Sequence, residues 1–221
     1  MGPRKPENRE ASPKIKIDSD YSALKQLKDG TAVRLRLLRP SDRDALLEGF
    51  ERLSPESRYR RFLSPTPKLS EEMLRRLTDT DDWNHLAVVA ERAESDPPEG
   101  LGIARFIRLE DAPDTAEAAV VVVDAVQRQG LGHLLLLDLV EAARERGIKK
   151  FRTYILPDNE PAQRLLHELD ADAEPRVEDR LRVFELPLPE ASADAERPEP
   201  LYRFLRSAAQ GVVMIFRALS A

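Results

Sequence analysis

The sequence predicts an α/β (α+β) fold, with flanking helices over a central sheet and an amphipathic helix appended at the C-terminus. Three observations predict it. Thr31 to Leu38 alternates Val33, Leu35 and Leu37 against Arg34 and Arg36, the period of a half-buried strand. The stretch from Glu117 to Gly147, EAAVVVVDAVQRQGLGHLLLLDLVEAARERG, joins a β-branched run to a loop with two close glycines and then to a leucine-rich helix. Strand-like and helix-like segments follow one another in the order β-α-α-β-β-β-α-β-α-β.

Residues 1–23 are rich in charge and proline and bury little, so they read as a mobile tail before a core unit at 24–189, with order beginning near Lys25. Arg39-Pro40 ends the first strand, and Ser41 is the expected cap of a helix whose apolar side is Ala45, Leu46, Gly49, Phe50 and Leu53. The segment LSPESRYRRF, 53–62, is dense in arginine and aromatics, and a solvated basic face is the ordinary reading of Arg58, Arg60 and Arg61. A second helix follows, capped by Ser70, with Met73, Leu74 and Leu77 apolar. An acidic turn at Asp79, Asp81 and Asp82 leads into strands at Leu86 to Glu91 and Leu101 to Leu109. Asp111 to Asp114, with Pro113, forms a hairpin connection into the strand that begins at Glu117.

Val120 to Val123 has the β-branching of a strand buried on both faces. The helix after it starts near Leu131, keeps Leu131, Leu135, Leu139 and Ala142 on one face, and stops at Gly147. Phe151 to Leu156 is the fifth strand, Asn159 to Leu169 a helix, and Arg182 to Leu186 a last strand. A proline, alanine and acid linker at 190–200 precedes 201–221, where Leu201, Leu205, Ala208, Val212, Ile215, Phe216 and Leu219 share one helical side. Docking of that helix on its own domain, or on a second protomer as a homodimer contact, is favoured over a place on a membrane surface.

Composition narrows the function classes. At 221 residues the chain can bury a full core, and its formal charge of −5 comes from intermixed acids and bases, so nothing marks a nucleic-acid groove. With no cysteine there is no disulfide, thiolate metal site or cysteine nucleophile, and His85, His133 and His167 lack metal-ligand spacing, so no metal is expected. The first twenty residues show no apolar signal core and no run reaches the roughly 18 apolar residues of a membrane span, so a cytoplasmic location is expected.

Strand, glycine loop and helix N-terminus together make an anion site: Gly130 and Gly132 admit a ligand close to the backbone, and the amides of the first helical turn point at it. Gly132-His133-Leu134 lacks the lysine and hydroxyl of a P-loop. Leu135 stands where a dinucleotide fingerprint needs its third glycine. What remains is Gln127-Arg128-Gln129-Gly130-Leu131-Gly132, which resembles the Gln/Arg-x-x-Gly-x-Gly/Ala loop that holds the coenzyme A pyrophosphate in the GNAT superfamily of acetyltransferases. The LSPESRYRRF string resembles a segment of bacterial GNAT enzymes that acetylate protein lysines, and the likeness covers the core from about Gly30 to Ala171.

The resemblance implies a mixed, mostly antiparallel sheet whose middle strands splay apart to admit the pantetheine arm. It implies acetyl-CoA as co-substrate, held along Val120, Val121 and Val122 and by the loop Gln127, Arg128, Gln129, Gly130, Leu131, Gly132 and His133, with Asn159 as a further contact or simply a helix N-cap. Val122 sits where the family's strand turns an amide to the thioester carbonyl. Glu117, in the context Ala116-Glu117-Ala118-Ala119 and ten residues before Gln127, matches the catalytic glutamate of the lysine-acetylating members, against the ordinary fate of a solvent-facing residue at a strand start. Two departures stand out. Leu166 occupies the place of the tyrosine that many members use as general acid, and Tyr154 lies where some relatives carry a glutamate base, with packing the favoured role. The expected activity is acetyl transfer to an amine by direct attack, with a protein lysine as first acceptor and a small amine as second. An acyl-CoA-binding regulatory module is the third reading.

Overall fold

The computed structural model describes residues 15–62, 68–155, 157, 176–178 and 181–188. The expected helix from Asn159 to Leu169, the linker at 190–200, the helix at 201–221 and the tail at 1–14 lie outside the described residues.

Among the described residues eight strands form one sheet: β1 (Ser22–Gln26), β2 (Ala32–Leu37), β3 (His85–Arg92), β4 (Gly100–Arg108), β5 (Thr115–Val122), β6 (Lys150–Ile155), β7 (Arg176–Glu178) and β8 (Leu181–Pro187), in the order β1-β2-β3-β4-β5-β6-β8-β7. Helices α1 (Arg43–Glu51), α2 (Pro55–Phe62) and α3 (Glu71–Thr78) come between β2 and β3, and α4 (Leu131–Glu145) crosses from β5 to β6. Every recorded pairing is antiparallel except β5 with β6, because a helical crossover returns the chain in the same direction.

Period-two alternation sorts the sheet into two faces. Ala116, Ala118, Val120 and Val122 join Leu35, Val88, Phe106 and the α4 leucines in the main core. The opposite face carries Glu117 and Ala119, and there Leu77 and Met73 of α3 pack with Ile107. Gly130 opens α4 at φ +95° and Gly147 follows it at φ +76°, two left-handed positions that favour glycine.

Three expectations need correction. Order begins well before Lys25: Ile17 is buried, its amide and that of Lys16 donate to the Glu145 carboxylate at 3.1 and 2.8 Å, and β1 starts at Ser22. Charge hid this segment, because its one deeply buried apolar side chain, Ile17, is seated by polar contacts from α4. Ser41 does not cap the first helix. Pro40–Asp42 forms a 3₁₀ turn instead, and Asp42 accepts from the Arg39 amide at 2.7 Å while pairing with Arg36. Finally, β1 and β7 are edge strands whose sequences lack alternation, and each forms by completing the ladder of a neighbour.

Candidate active site

The parallel β5–β6 ladder contains three pairs, Thr115 with Lys150, Ala116 with Phe151 and Glu117 with Arg152. Beyond that level β5 continues to Val122 and stays paired with β4, while β6 continues to Ile155 and stays paired with β8. The two central strands therefore part at Glu117.

Glu117 is 4% exposed, far from the solvent-facing residue that a strand start usually supplies. Its Oε1 accepts a hydrogen bond of 3.0 Å from the Tyr154 hydroxyl, which reaches it from the diverging part of β6. Burial, then the neighbouring Glu117, pushes the Tyr154 phenol up to about 12. Packing was the expected role of Tyr154, and its ring does pack on Val183 and Leu181, but its polar end belongs to the site.

At the other end of the opening, α4 begins without a side-chain cap, and its first internal amide bond runs from Leu134 to the Gly130 carbonyl at 3.2 Å. The amides of Leu131 and Gly132 precede that bond at an N-terminus without a side-chain cap, a donor set of the kind that suits a phosphate. Leu131 and Gly132 are buried against the core and His133 is half-buried. Arg128 is exposed at φ +63°, and the Gln129 carbonyl accepts from the Lys28 amide at 3.1 Å, tying the loop to the β1–β2 turn. Gln127 turns its side-chain amide back to the Val122 carbonyl at 3.1 Å, so that side chain braces the strand end. Val120 and Val122 are buried and Val121 half-buried. Asn159 lies outside the described residues.

Sequence reasoning missed three contributors. Asp124 accepts from the Ser54 amide at 2.8 Å, the Ser54 hydroxyl at 3.0 Å and the Ser57 hydroxyl at 2.9 Å, locking the start of α2 to the loop after β5. Burial alone would raise its carboxyl, but those donors hold it below the usual range. Arg105 is 2% exposed on the Glu117 face, donating to the Leu77 carbonyl at 3.0 Å and facing His85 Nε2 at 3.2 Å. A guanidinium only donates, so Nε2 is the acceptor and Nδ1 carries the proton that meets the Asp79 carbonyl at 3.0 Å. Burial and then Arg105 push His85 down to about 4. A signal for Arg105 existed, since Ile103, Arg105 and Ile107 share one strand face. Arg58 is the third: its guanidinium donates to the carbonyls of Leu53 and Glu51 at 3.0 and 2.7 Å and stacks over Phe50, so it is a brace and not a solvated side chain. The acidic turn stays exposed, and within it Asp81 accepts from the amides of Trp83, Asn84 and His85.

On the same sheet face a cavity of about 430 Å³ opens under α1, with Leu46, Leu77, Ile103, Arg105 and Val121 in its lining. Among the described residues no helix is long and apolar enough to cross a membrane, and no group of three or more acidic, histidine or cysteine side chains is placed to hold a metal.

Residues 50–170 match the family model described as the acetyltransferase (GNAT) family. The chain is 32% identical over 127 residues to Acetyltransferase PA5475 of Pseudomonas aeruginosa, covering 58% of this chain and 68% of the relative. It is 30% identical over 146 residues to Acetyltransferase Pat of Mycolicibacterium smegmatis, covering 66% of this chain but only 43% of that longer protein. The crystal structure of the GNAT domain of S. lividans PAT superposes with a TM-score of 0.63 at 31% identity, covering 76% of this chain and 97% of that domain. With strands parting at a buried carboxylate, a helix N-terminus that has no side-chain cap and these matches, the chain belongs to the GNAT family of acetyltransferases.

Proposed function

We propose that this enzyme transfers an acetyl group from acetyl-CoA to a protein lysine side chain by direct attack, with Glu117 as general base. The observation that carries the reading is the position of Glu117: buried, hydrogen-bonded and placed where β5 and β6 separate. The residues fit the co-substrate. The uncapped α4 terminus offers amides to the pyrophosphate, and the part of β5 beyond Glu117 offers an edge not laddered to β6 for the pantetheine arm.

Acetyl-CoA supplies the activated thioester carbonyl. Glu117 removes the proton from an ammonium that, at a pKa of about 10.4, is otherwise almost fully charged at neutral pH. The Val122 amide stabilises negative charge on the carbonyl oxygen as the N–C bond forms, and the C–S bond then breaks. Leu166 offers no proton, so the sulfur departs as thiolate without help from that position. The lysine acceptor is supported by the likeness of residues 53–62 to lysine-acetylating enzymes and by the relatives named Pat.

The test is Glu117→Gln. Loss of a general base costs on the order of 10²–10⁴ in rate, with acetyl-CoA binding by calorimetry retained. Undiminished turnover would remove Glu117 from the mechanism. A small-amine acceptor is the second reading, favoured by the cavity of about 430 Å³, a volume that suits a small ligand. Acetyl-CoA-dependent thiol release with protein lysines and with free amines decides between the acceptors, and release with neither above background points to a binding module.

A further inference from the structure

Resting on the proposed place of the thioester at Val122, we infer that the cavity beneath α1 receives the acyl chain of the co-substrate, so that the enzyme also transfers straight saturated chains longer than acetyl, from butyryl to octanoyl. Val121 and Val123, on either side of Val122, both line the cavity, whereas Glu117 is not among the described residues that do. An amine lodged there stands away from the proposed base, while a chain that continues from the thioester carbonyl enters the space directly. The bond changes are those of acetyl transfer: the N–C bond forms, the C–S bond breaks, and the carbons beyond the carbonyl react with nothing.

The cavity floor is a row of residues set opposite one another across four strands. Val121 on β5 pairs with Ile103 on β4, Ile103 with Val89 on β3, and Val89 with Arg36 on β2. Directly paired residues share one face of a sheet, and all four line the cavity. Neighbouring strands stand about 5 Å apart, so each step along the row spans roughly three to four C–C bonds of about 1.5 Å. The first three residues are aliphatic. The fourth, Arg36, has its N–H donors taken by Glu91, Asp42 and the Leu37 carbonyl. A chain that ends in a carboxylate therefore gains no donor from Arg36, and an apolar chain end suits the row better.

The roof explains why the space exists. Helix α1 has no buried residue, although Leu46 on its apolar side packs with Val89 and Ile103. A helix with an apolar stripe ordinarily buries that stripe against its sheet. Here the two are held apart over about 430 Å³, with Ala45, Gly49 and Phe50 in the lining. That volume is many times the ~30 Å³ of one water molecule, far more than an acetyl methyl fills. Gly49 has no atom within 4 Å of an added Cβ. Arg39, Asp44 and Glu48 in the lining are exposed, which puts charge where the cavity meets solvent and leaves aliphatic side chains within.

The experiment is calorimetric binding of acetyl-CoA, butyryl-CoA, octanoyl-CoA and succinyl-CoA to the full chain without acceptor, followed by thiol release with the amine acceptor that gives turnover. Each buried methylene is worth a factor of roughly three to four, so butyryl-CoA is expected to bind about tenfold more tightly than acetyl-CoA. Ile103→Phe fills the first step of the row and is expected to abolish the advantage of both longer chains. Val89→Phe fills the second step, and is expected to keep the butyryl advantage while weakening octanoyl-CoA about tenfold or more. Acetyl-CoA binding is expected to stay the same in both. Should a floor variant not fold, Gly49→Leu narrows the space from the roof with a better helix former and is expected to weaken octanoyl-CoA with acetyl-CoA unchanged. Affinity independent of chain length overturns the inference, as does a chain-length profile that the substitutions leave unaltered. So does tighter binding of succinyl-CoA than of butyryl-CoA, or a KM for the amine that rises in Ile103→Phe while acyl-CoA binding does not change. A chain that binds no acetyl-CoA takes the proposed function down as well, which a flat chain-length series does not.

Discussion

Arg105 brings a full charge into a face otherwise built from Ile107, Ala119, Met73 and Leu77. It is tolerated because its donors are used: the Leu77 carbonyl ties down the last turn of α3, and neutral His85 takes a second bond. This pairing makes stability depend on pH. The folded state holds His85 down to about 4 against an ordinary 6.5, so as pH falls the unfolded chain takes up the proton first. The contribution is complete above about 6.5 and is lost as pH drops toward 4. His85→Gln is expected to flatten that part of the curve, measured as unfolding free energy against pH relative to the unsubstituted chain. Arg105→Met strands the buried Leu77 carbonyl and the half-buried His85 Nε2 and is expected to cost about 1–3 kcal/mol in urea unfolding. In that variant the His85 ring titrates at higher pH by NMR, because one of the two causes of its depression has gone.

At the scale of elements, function depends on how helix starts are held. The first turn of α2 is bound to the loop after β5 through Asp124, while Gln127 closes back on Val122. Loop, strand end and α2 therefore move as one piece. Asp124→Ala is expected to lose about 1–2 kcal/mol, the size of a lost helix cap, and to speed amide hydrogen exchange in α2 before the core strands. The start of α4 uses a different device, a left-handed glycine in place of a side-chain cap. Gly130 sits at φ +95° with no atom within 4 Å of an added Cβ, so Gly130→Ala meets backbone strain without a clash. Its expected cost is about 1–2 kcal/mol, read as a higher KM for acetyl-CoA and a lower melting temperature. The left-handed start aims the first turn of α4, and a tilt of that turn misdirects its amides.

The whole molecule is closed by a segment that reads as a tail. Arg146, 5% exposed, gathers the carbonyls of Asp82, Ala142 and Ile17, and Tyr21 donates to Asp138 at 2.6 Å. The chain before β1 is thereby fastened to the outer end of the helix whose other end carries the proposed cofactor loop. Ile17→Ala is expected to cost about 2–4 kcal/mol, measured by urea unfolding, a loss that a mobile tail does not show. The central β5, its glycine loop and α4 were legible in the sequence, because β-branching, the two glycines and leucine periodicity are local signals that agree with one another. Glu117 was legible by spacing, but its burial was not, since alternation alone does not say which face α3 covers. Charge obscured the ordered start at Ile17 and the bracing roles of Arg58 and Arg105, because composition treats a guanidinium as solvated until carbonyls are brought to it. The sequence by itself determined the central strand, the glycine loop with the helix after it, and the family. Only the tertiary structure decided that β5 and β6 part at Glu117 and that Tyr154 reaches across the gap, because ladder length and a contact between residues 37 apart depend on how strands twist and pair in space.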